Sequence, residues 1–335
     1  MKKTHLTDTR FINLELSKSI LKGLQDAGFD QCSPIQEQSL PIALRDRDVA
    51  GQAQTGTGKT ASFLLAVFQR LLNDNSEKKK YPRAIILAPT RELAIQIHKD
   101  ALLLGKHLGF NLALIYGGTD YQKQLKAVQG NVDIIIATPG RIIDFYRQKA
   151  FSLDNIQVMV LDEADRMFDL GFIKDIRYLL NRMPEPEKRL NMLFSATLSF
   201  KVSELAYEHM YQPVMVKVET EEVTSESINQ FAFCPANEQK ISLLVGLINS
   251  QTPERSIVFV NTKRSAEKLA DYLAANGHKI ALLSGDVPQE KRQRLLADFQ
   301  ESKVTIMIAT DVAARGLHIP DVSHVFNFDL PQDAE

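Results

Sequence analysis

The chain has 335 residues, 44% of them hydrophobic and 24% charged, which is globular usage with length for about two domains of roughly 150 residues. That composition excludes a disordered, collagen-like or coiled-coil protein, and no apolar run approaches the roughly 18–20 residues of a membrane span. Forty basic residues against 41 acidic ones leave a net charge of −1, so any polyanion must be bound by placed groups rather than bulk charge.

The start, Met1-Lys2-Lys3-Thr4-His5, has no apolar stretch behind it and does not read as a secretory signal. The two cysteines, Cys32 and Cys234, are read as reduced thiols of a cytoplasmic protein. The first segment is helical in pattern, with Ile20, Leu21 and Leu24 on one face ahead of a Gly28-Phe29 stop. Short β-rich runs follow at Asp48-Val49-Ala50, Ala84–Ala88, Leu112–Tyr116, Asp133–Ala137, Val158–Leu161 and Asn191–Phe194. Runs of this length, alternating with helical stretches such as Arg91–His107, predict a parallel sheet covered on both faces. The acidic, Ser/Thr-rich stretch from Glu219 to Ser227 has no periodicity and reads as a linker. The βα alternation then resumes with Ser256–Val260, Lys263–Ala275, Lys279–Leu283, Gln289–Phe299, Val304–Ala309 and Val325–Phe328. The expected organisation is α/β throughout: an N-terminal domain over 1–218, a linker over 219–229, and a second domain over 230–335 that reads as cut short at its C-terminal end.

Two motifs carry chemistry by themselves. Ala53-Gln54-Thr55-Gly56-Thr57-Gly58-Lys59-Thr60 stands between a strand and an apolar helix, the setting of a phosphate-binding loop, although the general pattern has Gly where Ala53 stands. Lys59 is expected at the β- and γ-phosphates and the Thr60 hydroxyl at Mg²⁺. Asp162 and Glu163 follow the apolar run Val158–Leu161, where a strand's carboxyl end faces the nucleotide. Asp162 then holds Mg²⁺, and Glu163 orients or deprotonates the attacking water.

Asp162-Glu163-Ala164-Asp165 spells D-E-A-D, and the chain resembles the DEAD-box ATP-dependent RNA helicases from end to end. Gly28-Phe29 with Cys32-Ser33-Pro34-Ile35-Gln36 is similar to that family's Q motif (residues 9–37), with Phe11 as the upstream aromatic. Pro89-Thr90-Arg91-Glu92-Leu93, Gly117-Gly118 and Thr138-Pro139-Gly140-Arg141 resemble the RNA-contacting motifs of the first domain, and Ser195-Ala196-Thr197 the segment coupling ATP to strand separation. Val258–Thr262, Ser284-Gly285-Asp286 and Ala309–Gly316 match the second domain in order.

The resemblance implies two RecA-like P-loop domains with parallel sheets, and ATP- and Mg²⁺-dependent local unwinding of RNA. It implies that Gln36 reads adenine, that Phe29 or Phe11 stacks on it, and that Asp165, Ser195 and Thr197 couple the sites. Sequence-independent backbone contacts to RNA then fall to Pro89, Thr90, Arg91, Gly117, Gly118, Thr138, Pro139, Gly140 and Arg141, with Asn261, Gly285, Asp286 and Thr310 in the second domain. Core packing is the competing role for Phe11, and helix capping for Thr90 and Thr138. Lys78-Lys79-Lys80 reads as a solvated charge run. A narrower likeness to helicases of bacterial RNA decay implies ribonuclease RNase E as a partner docking on the second domain. His318 stands where most of the family has Asp near the ATP ribose, and the family's H-R-I-G-R arginine-finger segment is not found within these 335 residues. Weak turnover of the 335-residue chain is the expectation. The alternative is a nucleotide- and RNA-binding module or assembly platform without turnover.

Overall fold

The computed structural model describes residues 6–54, 56–74, 82–218, 228–310, 319 and 321–330. The chain divides into two compact units, Met1–Glu221 and Glu222–Glu335. Thr55, Lys78–Lys80, Glu219–Ser227, Asp311–Gly316 and His318, all singled out above, lie outside the described residues.

In the first unit seven strands are described: β1 (Val49–Gln52), β2 (Ala84–Leu87), β3 (Leu112–Ile115), β4 (Ile134–Ala137), β5 (Val158–Asp162), β6 (Leu190–Ser195) and β7 (Val214–Lys217). They pair in parallel in the order β3-β4-β2-β5-β6-β1-β7. Every residue of β2, β4, β5 and β6 is buried, which is why these stretches read as unbroken apolar runs. The sequence pattern gave no sign of β7. It is an edge strand with only Val216 buried and a lysine at its end, so it carries neither an apolar run nor a clean alternation.

One face of the sheet is covered by helices Lys18–Asp26, Pro34–Ala43, Lys59–Leu72 and Arg91–Leu104. Helices Pro139–Arg147, Ile173–Leu180 and Phe200–His209 cover the other. Buried ionic groups pin the amino-terminal edge of the strands. Arg83 is held by Asp133 and donates to the Leu71 carbonyl at 2.9 Å. Asp48 accepts from the Asn191 amide nitrogen at 2.7 Å and the Tyr211 amide at 2.6 Å. Each charge is paired or hydrogen-bonded, the condition under which burying it is tolerable. The polar anchoring at one edge leaves the opposite, carboxyl edge to the loops.

The second unit contains β8 (Ser256–Val260), β9 (Ile280–Leu283), β10 (Ile306–Thr310) and β11 (His324–Asn327), parallel in the order β11-β8-β10-β9. Helices Lys240–Gln251 and Lys263–Ala275 bury Leu244, Ile248, Leu269 and Leu273 against one face, and Phe299 of helix Gln289–Gln300 packs on the other. Among the described residues, no helix is long and apolar enough to cross a membrane.

Candidate nucleotide and nucleic-acid site

Strand order sorts the motif loops of the first unit into two groups along one edge. The loops after β1, β5 and β6 come from adjacent strands, and so do those after β2, β4 and β3. The first group gathers Ala53–Thr60, Asp162–Asp165 and Ser195–Thr197, and the second gathers Pro89–Arg91, Gly117-Gly118 and Thr138–Arg141.

In the first group the loop after β1 is tied down on several sides. The Ala53 amide donates to the Ser195 carbonyl at 3.0 Å, and the Thr57 hydroxyl donates to the Gln54 carbonyl at 2.7 Å. Gly56 and Gly58 have φ of 83° and 94°, values that disfavour any side chain. Gly58 also has no room for one: a Cβ would stand 2.5 Å from Gln36 Nε2. Gly58 precedes helix Lys59–Leu72, whose first backbone amides, without intrahelical partners, stand at the end of the loop. Lys59 is buried, and its ammonium donates to the Ala53 carbonyl at 2.9 Å, so the loop folds on its own cation.

Gln36 is bonded on both ends of its amide. It is 2% exposed, its amide oxygen accepts from the Ser33 amide at 2.8 Å, and its Nε2 donates to the Gly58 carbonyl at 2.9 Å. Here the side chain is a strut between its helix and the phosphate loop. Phe11 is 2% exposed and belongs to the core, the competing role named above; Phe29, at 42% exposed, offers the more open aromatic face.

Asp162 ends β5 at 1% exposed. Burial pushes its carboxyl up to about 6 against the pull of the Lys59 cation, with Glu163 and Asp165 adding to the rise. A buried carboxylate this poorly compensated, within the field of Lys59 of the phosphate loop, is oxygen chemistry that fits a hard divalent cation such as Mg²⁺. Glu163 sits at φ 54° and ψ 54°, left-handed backbone that costs a non-glycine residue roughly 1–3 kcal/mol. Its carboxylate is paired with Arg166 at 2.9 Å, a partner the sequence reading missed although the i,i+3 spacing signals it. Asp165 reaches across to the loop after β6: its Oδ2 accepts from the amides of Ala196 and Thr197, each at 3.1 Å, while its own amide donates to Ser195 Oγ at 3.2 Å. The structure therefore brings Asp165, Ser195 and Thr197 into one network.

The second group is built differently. The Thr90 hydroxyl accepts from the Leu93 amide at 3.3 Å and caps helix Arg91–Leu104, while Pro89 is buried. Gly118 has φ of 85°, and a Cβ there would lie 2.6 Å from Arg91 Nη1, so this glycine makes the slot in which the guanidinium rests. Gln124, not foreseen, clamps the same loop by accepting from the Tyr116 amide at 2.9 Å and donating to its carbonyl at 3.1 Å. Thr138 and Pro139 are buried at the start of helix Pro139–Arg147, the threonine without a side-chain capping bond. Nothing stands within 4 Å of where a Gly140 side chain would begin. The Arg141 guanidinium lies 5.0 Å from the Tyr121 ring centroid and 5.7 Å from that of Phe145.

In the second unit Asn261 follows β8. Its amide donates to Asp329 at 3.0 Å, and its side chain donates to the Leu330 carbonyl at 3.0 Å. Gly285 faces open space, and Thr310 ends β10 half-buried. The Asp286 carboxylate is paired with Lys263 and held below its usual range by that hydrogen bond and charge, so Lys263 is the cation at this position.

A phosphate loop after β1, the carboxylates Asp162 and Glu163 at the end of β5 and the Ser195–Thr197 segment after β6, on one edge of a parallel sheet, define a P-loop ATPase of RecA-like architecture. The family model for the DEAD/DEAH box helicases matches residues 33–205, and that for the helicase conserved C-terminal domain matches 239–335. The chain belongs to the DEAD-box family of ATP-dependent RNA helicases. It is 60% identical to ATP-dependent RNA helicase RhlB of Pseudoalteromonas atlantica over 335 residues, covering 100% of this chain and 80% of that protein. To RhlB of Vibrio campbellii it is 57% identical, over 100% of this chain and 77% of that one. Among solved structures it resembles S. cerevisiae Dbp5 bound to RNA and ADP BeF3, with a TM-score of 0.85 and 35% identity over 97% of this chain and 82% of that chain.

Proposed function

We propose that this chain couples ATP hydrolysis to local separation of short RNA duplexes in bacterial RNA degradation in the cytoplasm, and that RNase E is its partner. The observation that carries the reading is the sorting of motif loops by strand order, with Asp165 bonded to Ser195, Ala196 and Thr197 on the nucleotide side. Lys59 leaves the Ala53 carbonyl for the β- and γ-phosphates, Asp162 and Thr60 hold Mg²⁺, and Glu163 orients the attacking water. When bound, the metal ion neutralises phosphate charge. Phe29 stacks on the base, and Gln36 transmits the base's presence to Gly58. Arg91, Gly117, Gly118, Thr138, Gly140 and Arg141, and in the second unit Asn261, Gly285, Asp286 and Thr310, meet the RNA backbone and carry no base information.

Magnitudes favour local action. Taking DNA stacking of ~1.4 kcal/mol per step as a guide, the steps of a 20-bp duplex hold roughly 27 kcal/mol. Non-covalent binding saturates near about 18–21 kcal/mol, so one binding event does not melt such a duplex. Residues 1–335 expressed alone contain no H-R-I-G-R sequence, and we expect that polypeptide to hydrolyse ATP slowly. An arginine finger contributes roughly 10³–10⁵-fold to phosphoryl transfer.

The test is phosphate release with and without RNA, together with displacement of 10-bp and 20-bp duplexes, on a protein extended through H-R-I-G-R. RNA-dependent release with displacement of the shorter duplex supports the reading; release indifferent to RNA rejects it. Capture of the extended protein on the helicase-binding segment of RNase E tests the partner, and absence of capture rejects it.

A further inference from the structure

Arg141 is the one cation in the RNA-facing group whose guanidinium rests on aromatic rings. Tyr121 and Phe145 meet edge to face, with centroids 5.0 Å apart and planes at 79°. The guanidinium lies across both, and its Nη1 is buried without a hydrogen-bond partner among the described residues. The Tyr121 hydroxyl accepts from Gln148 Nε2, which also donates to Asp144 at 3.0 Å, so the ring is braced at its far end. Tyr121 begins the helix Tyr121–Val128, straight after the loop that holds Gly117 and Gly118. β3 and β4 are neighbours, with Ile115 beside Ala137, so that loop and the one carrying Arg141 emerge side by side.

A free arginine samples many rotamers, and an anion that binds it must first order it. A guanidinium held against fixed rings has already lost that freedom, and its nitrogens other than the buried Nη1 remain as donors for a phosphate. We propose that Tyr121 is a positioning residue for RNA: its ring holds Arg141 in the orientation that an RNA backbone phosphate meets. This rests on the reading of Arg141 as an RNA contact, and it adds a residue that none of the D-E-A-D, phosphate-loop or T-P-G-R sequences contains.

The test measures affinity of the full chain for a fluorescein-labelled ten-nucleotide poly(U) strand, in the presence of a non-hydrolysable ATP analogue. A cation–π contact corresponds to roughly 2- to 30-fold in affinity, and Tyr121→Leu is expected to weaken binding within that range. Tyr121→Phe keeps the ring and stays within about twofold of the parent, whereas Tyr121→Leu leaves affinity for the nucleotide analogue without RNA unchanged. Arg141→Lys, which keeps the charge but not the flat guanidinium, loses as much as Tyr121→Leu. Arg141→Lys covers the case in which Tyr121→Leu does not fold. In an Arg141→Ala background, Tyr121→Leu has no further effect. Equal losses in both backgrounds, or full affinity in Arg141→Lys, overturn the positioning role. Unchanged binding by Arg141→Ala instead overturns the assignment of Arg141 to RNA, and the proposal with it.

Discussion

The two groups of loops on the first sheet's carboxyl edge are built from the same parts and left in opposite states. On the nucleotide side the functional groups are turned on one another: Lys59 on the Ala53 carbonyl, Gln36 on Gly58, Glu163 on Arg166. In the second group the Arg141 guanidinium lies over two rings, and that of Arg91 fills the slot left by Gly118. The first arrangement must rearrange to bind, so part of the ligand's interaction energy goes into breaking internal bonds. On the proposed reading, Arg141 of the second group is already held in place, which lowers the entropic cost of binding RNA. A nucleotide site that has to be opened is a site whose chemistry can be made conditional on what the neighbouring group holds, and Asp165 is the bonded link between the β5 loop and the β6 loop.

The largest expected effect breaks the nucleotide side alone. Glu163→Gln in a hydrolysing protein should lower turnover by about 10²–10⁴-fold, the usual loss on removing a general base. Asp162 and Lys59 remain, so Mg²⁺-ATP affinity by calorimetry should hold, and RNA affinity should not move. Near-normal turnover would show that another group handles the water.

The second prediction concerns stored electrostatic strain. The Asp162 carboxyl is raised from 3.8 to about 6, chiefly by burial, so its ionised form opposes folding. The sign follows from linkage. Between these values the folded chain binds the extra proton, so stability is highest below about 4 and is lost as pH rises through about 6. Asp162→Asn should therefore raise the melting temperature at pH 7.5, with an upper bound of about 3 kcal/mol at ~1.4 kcal/mol per unit, and the gain should vanish near pH 4. A melting temperature that falls at pH 7.5 would place the stabilising interactions of the carboxylate above the cost of burying it.

Much of this edge was legible in the sequence, because short runs carry it: the glycines of the phosphate loop, the carboxylates closing an apolar strand, the Thr-Pro-Gly-Arg helix start. What stayed hidden depends on strand order, which no local pattern encodes. Arg141 meets Tyr121 because β3 and β4 are neighbours, and Gln36 meets Gly58 because its helix packs beside the one that Gly58 caps. Phe11 reads alike as a stacking ring or a core ring until its burial is known. Edge strand β7, with one buried residue, has no pattern to read.

The network joining the β5 and β6 loops on the nucleotide side gives the next effect. Asp165→Asn keeps the size of the side chain but removes the charge that two amides share, at 3.1 Å each. Hydrogen bonds to a charged group contribute about 1.5–3 kcal/mol, so stimulation of hydrolysis by RNA should drop by at least tenfold. Basal hydrolysis and the separate affinities for ATP and RNA should change far less. A parallel fall in all four would mean that Asp165 supports the fold of this edge and does not carry the coupling.

The smallest effect sharpens the contrast from the RNA side. Gly118→Ala adds one methyl group where φ is 85° and where Arg91 Nη1 stands 2.6 Å from the new carbon. The backbone term is about 1–3 kcal/mol for a non-glycine residue in this region. Gln124 holds the loop at Tyr116 and so limits its freedom to relax. The guanidinium is the softer partner, the far end of a long side chain, so it should give way first and leave its slot. RNA affinity should then fall by a few-fold, with nucleotide affinity unchanged and only a modest drop in melting temperature. Arg91→Ala resolves which term dominates. If the methyl group acts by expelling Arg91, Gly118→Ala adds nothing to RNA affinity once Arg91 is gone, and only the drop in melting temperature remains. If the loop backbone itself is what RNA meets, the affinity losses of the two substitutions add. That outcome would move the preorganised element from the cations to the Gly117-Gly118 backbone.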